Sequence, residues 1–119
     1  HWLARYIDAW KTYEPAKIGA LFSADCVHRY TPFDAPQIGR DAIIESWLAH
    51  RDPPDTYDAD YLTLMIDGDR AITTGRTYYY QAGTRTLIAE FANLWVLRFN
   101  DNGECCEFLE FYMAHDTQG

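Results

Sequence analysis

The first part of the chain has apolar side chains at steps of three and four residues, the spacing that is typical of amphipathic helices. Between residues 2 and 14, charged side chains fall on the side opposite to an apolar stripe, which consists of Leu3, Tyr6, Ile7, Trp10 and Tyr13. We therefore predict a first helix over residues 2–14 that buries a largely aromatic face.

Two further helices are indicated by start signals that apolar residues follow. Pro15 suits the first turn of a helix, because its missing N–H falls where backbone donors have no helical partner. The apolar face of this short second helix is expected to consist of Ile18, Leu21 and Phe22. A third helix is predicted over residues 41–50, with the buried side chains Ile43, Ile44, Trp47 and Leu48.

Five segments have the composition of β-strands and are bounded by turn residues. One covers residues 25–33, ends near Pro32 and is followed by a turn-rich link over residues 34–39. The other four are predicted to form two hairpins, over residues 57–66 with 70–80 and residues 86–99 with 104–113. Asp67-Gly68 between the first two strands is a strong hairpin signal, because both central residues of such a turn need positive φ.

The length and order of these elements predict one α+β domain. A chain of 119 residues has enough length for one hydrophobic core, so residues 1–119 are expected to form a single domain. Aromatic residues make up 16% of the chain, which is more bulk than a minimal core needs. This excess favours a walled cavity or a sizeable interface.

The charge of the chain excludes some classes of partner. The formal net charge is −8 and the pI is near 4.7, which disfavours a partner that is recognised through its phosphates, so we expect no nucleic acid. No apolar stretch approaches the roughly 20 residues that span a bilayer, and the first residues lack the layout of a signal peptide. We expect a cytoplasmic protein without a membrane partner.

The three cysteines give no framework for disulfides or zinc. Their count is odd, and no CxxC spacing occurs. Cys105 and Cys106 are adjacent, but neighbouring strand residues point to opposite faces, which opposes a redox pair. We predict that all three thiols are reduced.

Several sequence blocks resemble the nuclear transport factor 2-like superfamily and its SnoaL-like group in particular. These blocks are LFSAD at residues 21–25, PF at 32–33, GRDAI at 39–43 and LRFNDNG at 97–103. The resemblance implies a cystatin-like, nuclear transport factor 2-like cone, with three N-terminal helices packed on a curved antiparallel sheet. It also implies a pocket between the helices and the concave face of the sheet, and commonly a dimer.

One member of this superfamily, ketosteroid isomerase, allows a comparison residue by residue. The block ARYID at residues 4–8 resembles its first helix, and Tyr6 falls on its oxyanion-binding tyrosine. The carboxylate base of that enzyme is replaced here by Thr31, whose hydroxyl cannot accept a proton at neutral pH. Its protonated aspartate is replaced by Trp95. The resemblance therefore does not extend to steroid isomerisation.

A second comparison points to Glu110. SnoaL-like cyclases carry an acidic residue on the last strand, seven residues beyond the glycine of the preceding turn, and counting from Gly103 leads to Glu110. Strand alternation places Glu110 on one face with Cys106, Phe108 and Tyr112. A carboxylate among aromatic side chains is partly desolvated, which raises its pKa and suits general acid/base catalysis. The alternative is a buried acid paired with an arginine such as Arg76 or Arg98, or a rim residue in water.

Other residues are candidates for the walls of the pocket. Tyr6 is a candidate catalytic donor, although a core tyrosine would show the same helical spacing. Asn93 and Trp95 share a strand face, so both should line the cone if either does. The predicted substrate-binding residues are Asn93, Trp95, Phe108, Tyr112, His28 and Thr31. No metal site and no cofactor are expected, since no spacing of His, Asp and Glu suits a metal ion.

The outer face of the predicted sheet indicates a homodimer. Leu109, Phe111 and Met113 share the outer face of the last strand, beside Leu94 and Val96. An apolar patch of this kind is usually covered by a partner. The alternative is a terminal segment, outside the given sequence, that covers it.

Two functions fit these features. The first is a SnoaL-like isomerase, cyclase or hydrolase in which Glu110 moves a proton of a small apolar or aromatic substrate while Tyr6 or Asn93 binds a developing oxyanion. The second is a non-catalytic module that binds a hydrophobic ligand or dimerises. The architecture alone does not separate them, because it carries many unrelated activities.

Overall fold

The computed structural model describes residues 1–115, in which three helices precede or interrupt the strands of one six-stranded sheet. The elements are α1 (Trp2–Thr12), α2 (Pro15–Gly19), β1 (Phe22–Arg29), β2 (Gln37–Ile38), α3 (Arg40–Ala49), β3 (Tyr57–Asp67), β4 (Arg70–Tyr80), β5 (Leu87–Phe99) and β6 (Cys105–Ala114). The strand order is β2-β1-β6-β5-β4-β3. All neighbouring pairs are antiparallel except β1 and β6, which are parallel. The predicted α+β cone with a curved, unclosed sheet is confirmed.

The prediction for the segment after α2 was wrong. Helix α2 ends at Gly19, and Phe22 is the first residue of β1 rather than part of the helix. The backbone carbonyl of Leu21 accepts hydrogen bonds from the Trp2 indole (3.1 Å) and from the Cys105 N–H (2.9 Å), which draws the chain into the sheet. Tertiary contacts here outweigh the local helical pattern.

The predicted strand at residues 25–33 also differs from the structure. It begins earlier and ends at Arg29, because the Thr31 hydroxyl accepts hydrogen bonds from the N–H groups of Phe33 and Asp34 and closes a turn. The link that follows contributes a two-residue strand, β2, whose Ile38 pairs with Val27.

A β-bulge near the start of β6 corrects one predicted face. Arg98 pairs with Glu107, whereas the next residue, Phe99, pairs with Cys105, so that Cys106 is an extra residue. Cys105 therefore points into the core, and Cys106 does not share the face of Phe108. The three thiols are free, and a hydrogen bond with Cys26, together with burial, raises the pKa of the Cys105 thiol.

The hydrophobic core fills one end of the space between the helices and the concave face of the sheet. Along β5, Leu97 and Trp95 are buried in this core, whereas Asn93 and Phe91 further along the same face line an open cavity. The core thus closes the cone at one end and leaves a pocket at the other. None of the helices within residues 1–115 is long and apolar enough to cross a membrane.

Candidate functional site

The cavity of the cone has a volume of about 580 Å³, within the range of small-molecule sites. Six tyrosines, three tryptophans and one phenylalanine line it. The other lining residues are Gln37, Ser46, His50, Asp52, Thr77, Asn93 and Glu110. Neither lysine nor arginine belongs to this lining among the described residues.

Glu110 lies on the inner face of β6, directly opposite Trp95 of β5. Its Oε2 atom accepts hydrogen bonds from the Asn93 side-chain amide (2.9 Å) and from the Trp95 indole N–H (3.0 Å). Across residues 1–115, Oε1 has no hydrogen-bond partner. One carboxylate oxygen is therefore held in place, and the other is available to a ligand.

A chain of hydrogen bonds with a fixed direction ends on Glu110. The Thr77 hydroxyl donates to Asn93 Oδ1 at 2.8 Å, which orients the Asn93 amide so that its Nδ2 faces Glu110. Because the only proton of the Thr77 hydroxyl is used in that bond, the Tyr61 hydroxyl, at 2.8 Å, is the donor to Thr77. Tyr61, Thr77 and Asn93 thus point their donors one after another toward the carboxylate.

Within residues 1–115, Glu110 has no cationic partner. Burial raises the pKa of its carboxyl group above the ordinary value, and the N–H donors of Trp95 and Asn93 offset part of this increase. The two arginines that could have paired with it are engaged elsewhere, since Arg76 contacts Glu90 (3.6 Å) and Arg98 contacts Glu107 (2.9 Å). A desolvated carboxylate with a raised pKa is suited to take up and release a proton during a reaction.

Tyr6 of α1 reaches across to the same part of the cavity. Its ring lies 4.7 Å from the ring of Trp95 and 5.1 Å from that of Trp47, measured between centroids. Burial, together with the nearby Tyr61 and Glu110, raises the pKa of the Tyr6 hydroxyl well above its ordinary value. The hydroxyl therefore stays protonated and can act as a hydrogen-bond donor.

A second carboxylate, Asp52, lines the cavity just after α3. Its Oδ2 atom accepts hydrogen bonds from the Trp10 indole N–H (3.1 Å) and from the Tyr13 hydroxyl (3.4 Å). Tyr79 is close to both carboxylates: burial raises the pKa of its hydroxyl, and Asp52 and Glu110 each raise it further. The two acids thus border one continuous aromatic space.

Comparison with known proteins gives the family. The sequence model of the SnoaL-like domain matches residues 3–108, which is most of the chain. The chain belongs to the SnoaL-like domain family. The family predicted from sequence is thereby confirmed. No curated protein sequence matches the chain.

Solved structures with the same fold include enzymes of different chemistry. The epoxide hydrolase/cyclase-like enzyme SalBIII, which acts in pyran ring formation in polyether salinomycin, is 15% identical, with a TM-score of 0.72 over 94% of this chain and 88% of that one. An epoxide hydrolase from M. tuberculosis is 11% identical, with a TM-score of 0.69 over 94% and 80%. A protein of ketosteroid isomerase-like fold from Catenulispora acidiphila, in complex with trimethylamine, is 20% identical, with a TM-score of 0.68 over 94% and 85%. Such low identities show a shared fold.

The SnoaL-like domain brings five of the residues predicted from sequence into one cavity. Glu110, Tyr6, Asn93, Trp95 and Tyr112 all line it, with Tyr112 half exposed at the rim.

The other three predicted residues lie outside the cavity lining. Phe108 is buried in the core behind Trp95, with ring centroids 4.7 Å apart. His28 is 1% exposed and is enclosed by Phe108 and Tyr30, while Thr31 caps the turn after β1.

Other residues of the SnoaL-like cavity were not predicted from the sequence, above all Tyr61, Thr77, Tyr79 and Asp52. Strand alternation in β4 would have placed Thr77 and Tyr79 on one face, but it could not show which face was concave. Asp52 has no comparable signal in the sequence, because the two side chains that donate hydrogen bonds to it lie about 40 positions away. The described residues contain no group of three or more His, Cys, Asp or Glu side chains that could hold a metal ion.

Proposed function

We propose that this SnoaL-like domain binds a small, largely apolar organic molecule and that Glu110 exchanges a proton with it. The observation that carries the proposal is the Glu110 carboxylate, which lines the cavity and is desolvated. Among residues 1–115 it has no cationic partner, and its Oε1 atom has no hydrogen-bond partner. Structures of the same fold include hydrolases, a cyclase-like enzyme and a protein with a small organic ligand. These are consistent with general acid/base chemistry on a ligand inside the cone.

In the proposed mechanism each group has one task. Oε2 is held by two N–H donors, so the proton moves at Oε1. The Asn93 amide is held between Thr77 and Glu110, and we assign to the Tyr6 hydroxyl the role of donor for an oxyanion that develops on the ligand. The aromatic walls exclude water and strengthen both interactions.

A generic proton-abstraction substrate tests this role without knowledge of the natural ligand. With 5-nitrobenzisoxazole, the Glu110 carboxylate would remove the C3 proton, the N–O bond would break, and a coloured cyanophenolate would form. We expect Glu110→Gln to lower kcat/KM at least about tenfold, because the amide cannot accept the proton. The rate of the wild-type protein should rise with pH through a midpoint above the ordinary pKa of glutamate.

The matched control is Glu90→Gln, which removes a carboxylate that pairs with Arg76 outside the cavity lining and should leave the rate unchanged. Equal rates for the wild-type protein and Glu110→Gln would contradict the catalytic role. The cavity would then be a binding site, which is the second candidate function; its support is the lining of ten aromatic side chains.

We also propose that two copies associate through the outer face of the sheet. Exposed apolar side chains lie there on neighbouring strands: Leu62, Met65, Leu94, Phe111 and Met113. Leu94 and Phe111 are directly paired, at 38% and 42% exposure. An apolar surface of this extent is usually covered by a partner.

Sedimentation or light scattering at micromolar concentration tests the dimer. The wild-type protein should have twice the monomer mass, and Phe111→Asp should be monomeric, because the new charge would be buried without a partner in the interface. Phe33→Asp is the control, since Phe33 is 97% exposed in the turn between β1 and β2, outside the strands that carry these apolar residues, and this variant should remain dimeric. A monomeric wild-type protein would rule out the interface.

A further inference from the structure

We propose that the ligand of the cavity carries a positively charged alkylammonium group, which binds among the aromatic rings beside Glu110 and Asp52. This inference rests on the proposed function, because it takes the same cavity as the binding site. It adds the chemical class of the ligand, which the proposed proton transfer leaves open.

The charges of the lining favour a cation. Glu110 and Asp52 both border the cavity, and within residues 1–115 neither forms a salt bridge. Their hydrogen-bond partners are neutral indole, amide and phenol groups. An ionised carboxylate away from bulk water is costly unless a counter-charge is present. A cationic ligand would supply the charge that the protein does not.

The aromatic lining favours the same ligand for an independent reason. The face of an aromatic ring is electronegative and attracts a cation within about 6 Å of its centroid, most strongly for Trp and Tyr. Around Glu110, the ring of Trp95 lies 4.5 Å from Tyr61 and 4.7 Å from Tyr6. Beside Asp52, Trp10 lies 6.5 Å from Tyr79. Each carboxylate is thus accompanied by Trp and Tyr rings, the combination that binds quaternary ammonium groups.

The basic side chains nearest to the cavity do not fill this role. Arg51 lies over the ring of Tyr13, 5.5 Å from its centroid, but it is exposed and is not part of the lining. Lys11 is directed to Asp58 at 3.0 Å. The net charge of −8 also draws cations toward the protein and repels anions. An anionic ligand would meet two carboxylates and neither lysine nor arginine among the described lining residues.

A pair of ligands of the same shape separates charge from shape. Choline and 3,3-dimethylbutan-1-ol differ in the replacement of the quaternary nitrogen by carbon. We expect choline to bind to the full chain at pH 8 at least about tenfold more tightly than the neutral alcohol. Titration can be followed by tryptophan fluorescence, since Trp10, Trp47 and Trp95 all line the cavity. The N-methyl proton resonances of bound choline should also shift upfield through ring currents.

Two variants locate the effect. Glu110→Gln and Asp52→Asn each remove one charge and nearly preserve shape, and each should weaken choline several-fold while leaving the affinity for the alcohol unchanged. Two variants are used so that a folding defect in one, seen by circular dichroism, leaves the other informative. Glu90→Gln is the control and should bind choline like the wild-type protein.

The outcomes separate this inference from the proposed function. Equal or tighter binding of the neutral alcohol overturns the cationic ligand but leaves the apolar cavity and the proton-abstraction assay intact. Failure of choline to bind at tens of millimolar also overturns it. Preference for choline that survives in both variants would place the cation elsewhere on the chain and would equally refute the proposal.

Discussion

Replacement of Gly75 by alanine is expected to lower the free energy of unfolding by about 3 kcal/mol, because the added methyl group has no space. A Cβ atom at this position would lie 2.2 Å from the backbone oxygen of Asp60 and 2.6 Å from Cδ1 of Tyr61. Gly75 pairs with Tyr61 across β3 and β4, so the neighbouring strand would have to move. Chemical denaturation of the wild-type protein and the variant measures the difference.

The same substitution should disturb the site. The ring of Tyr61 passes over Gly75 on its way to the Thr77 hydroxyl, and its displacement would break the first bond of the chain that leads to Glu110. Gly19→Ala is the matched control, because its nearest neighbour would be the flexible end of Ile44 at 3.2 Å, and alanine favours a helix. We expect it to change stability by less than about 1 kcal/mol. Similar losses for both variants would refute the role assigned to Gly75.

His28→Phe is expected to remove most of a stability loss that the wild-type protein suffers in acid. Both ring nitrogens of His28 are buried without a hydrogen-bond partner in the described residues, and burial lowers its pKa to about 3. In the unfolded chain the pKa is about 6.5. Between these values the unfolded state binds the proton and the folded state does not, so stability falls as the pH decreases below about 6.5. From pH 8 to 4.5 this loss is about 2 to 3 kcal/mol.

The measurement compares unfolding free energies at several pH values for both proteins. Other groups, including Glu110, titrate in the wild-type protein and in the variant alike. The difference between the unfolding free energies of the two proteins at each pH therefore reports on His28 alone. At pH 8 we expect His28→Phe to be as stable as the wild-type protein or about 1 kcal/mol more stable, since no buried polar atom is left unpaired. A pH dependence of His28→Phe equal to that of the wild-type protein would disprove this account.

The sequence predicted the fold better than it predicted the environment of single residues. The helical stripe around Tyr6 and the hairpin at Asp67-Gly68 are local signals, and both correspond to elements of the structure. Glu110 could be assigned to an inner face because strand alternation holds from Phe108 to Tyr112. These features depend on residues that are close together in the sequence, so they can be recognised from one sequence alone.

What could not be predicted depends on contacts between distant segments. His28 was predicted to bind substrate, but Phe22, Tyr30 and Phe108 enclose it, and Phe108 lies 80 positions away along the chain. The end of α2 at Gly19 likewise depends on the hydrogen bond that the backbone N–H of Cys105 donates to the carbonyl oxygen of Leu21. The bulge is a further case. The extra residue Cys106 changes which residues of β6 face inward, and no turn signal in the sequence marks it.

The extra residue at Cys106 determines that side chains of β6 on both sides of the bulge face inward, one into the hydrophobic core and one into the site. Cys105, before the bulge, is buried in the core, and Glu110, after the bulge, lines the cavity. With strict alternation, residues 105 and 110 would face opposite sides, so only the extra residue lets both point inward. A homologue of the same length without the bulge would have to expose either the core cysteine or the carboxylate, whereas a homologue that lacks residue 106 could keep both inward by strict alternation. A one-residue gap at position 106 in an alignment is therefore expected to mark relatives that hold this acid in the cavity on a regular strand without a bulge.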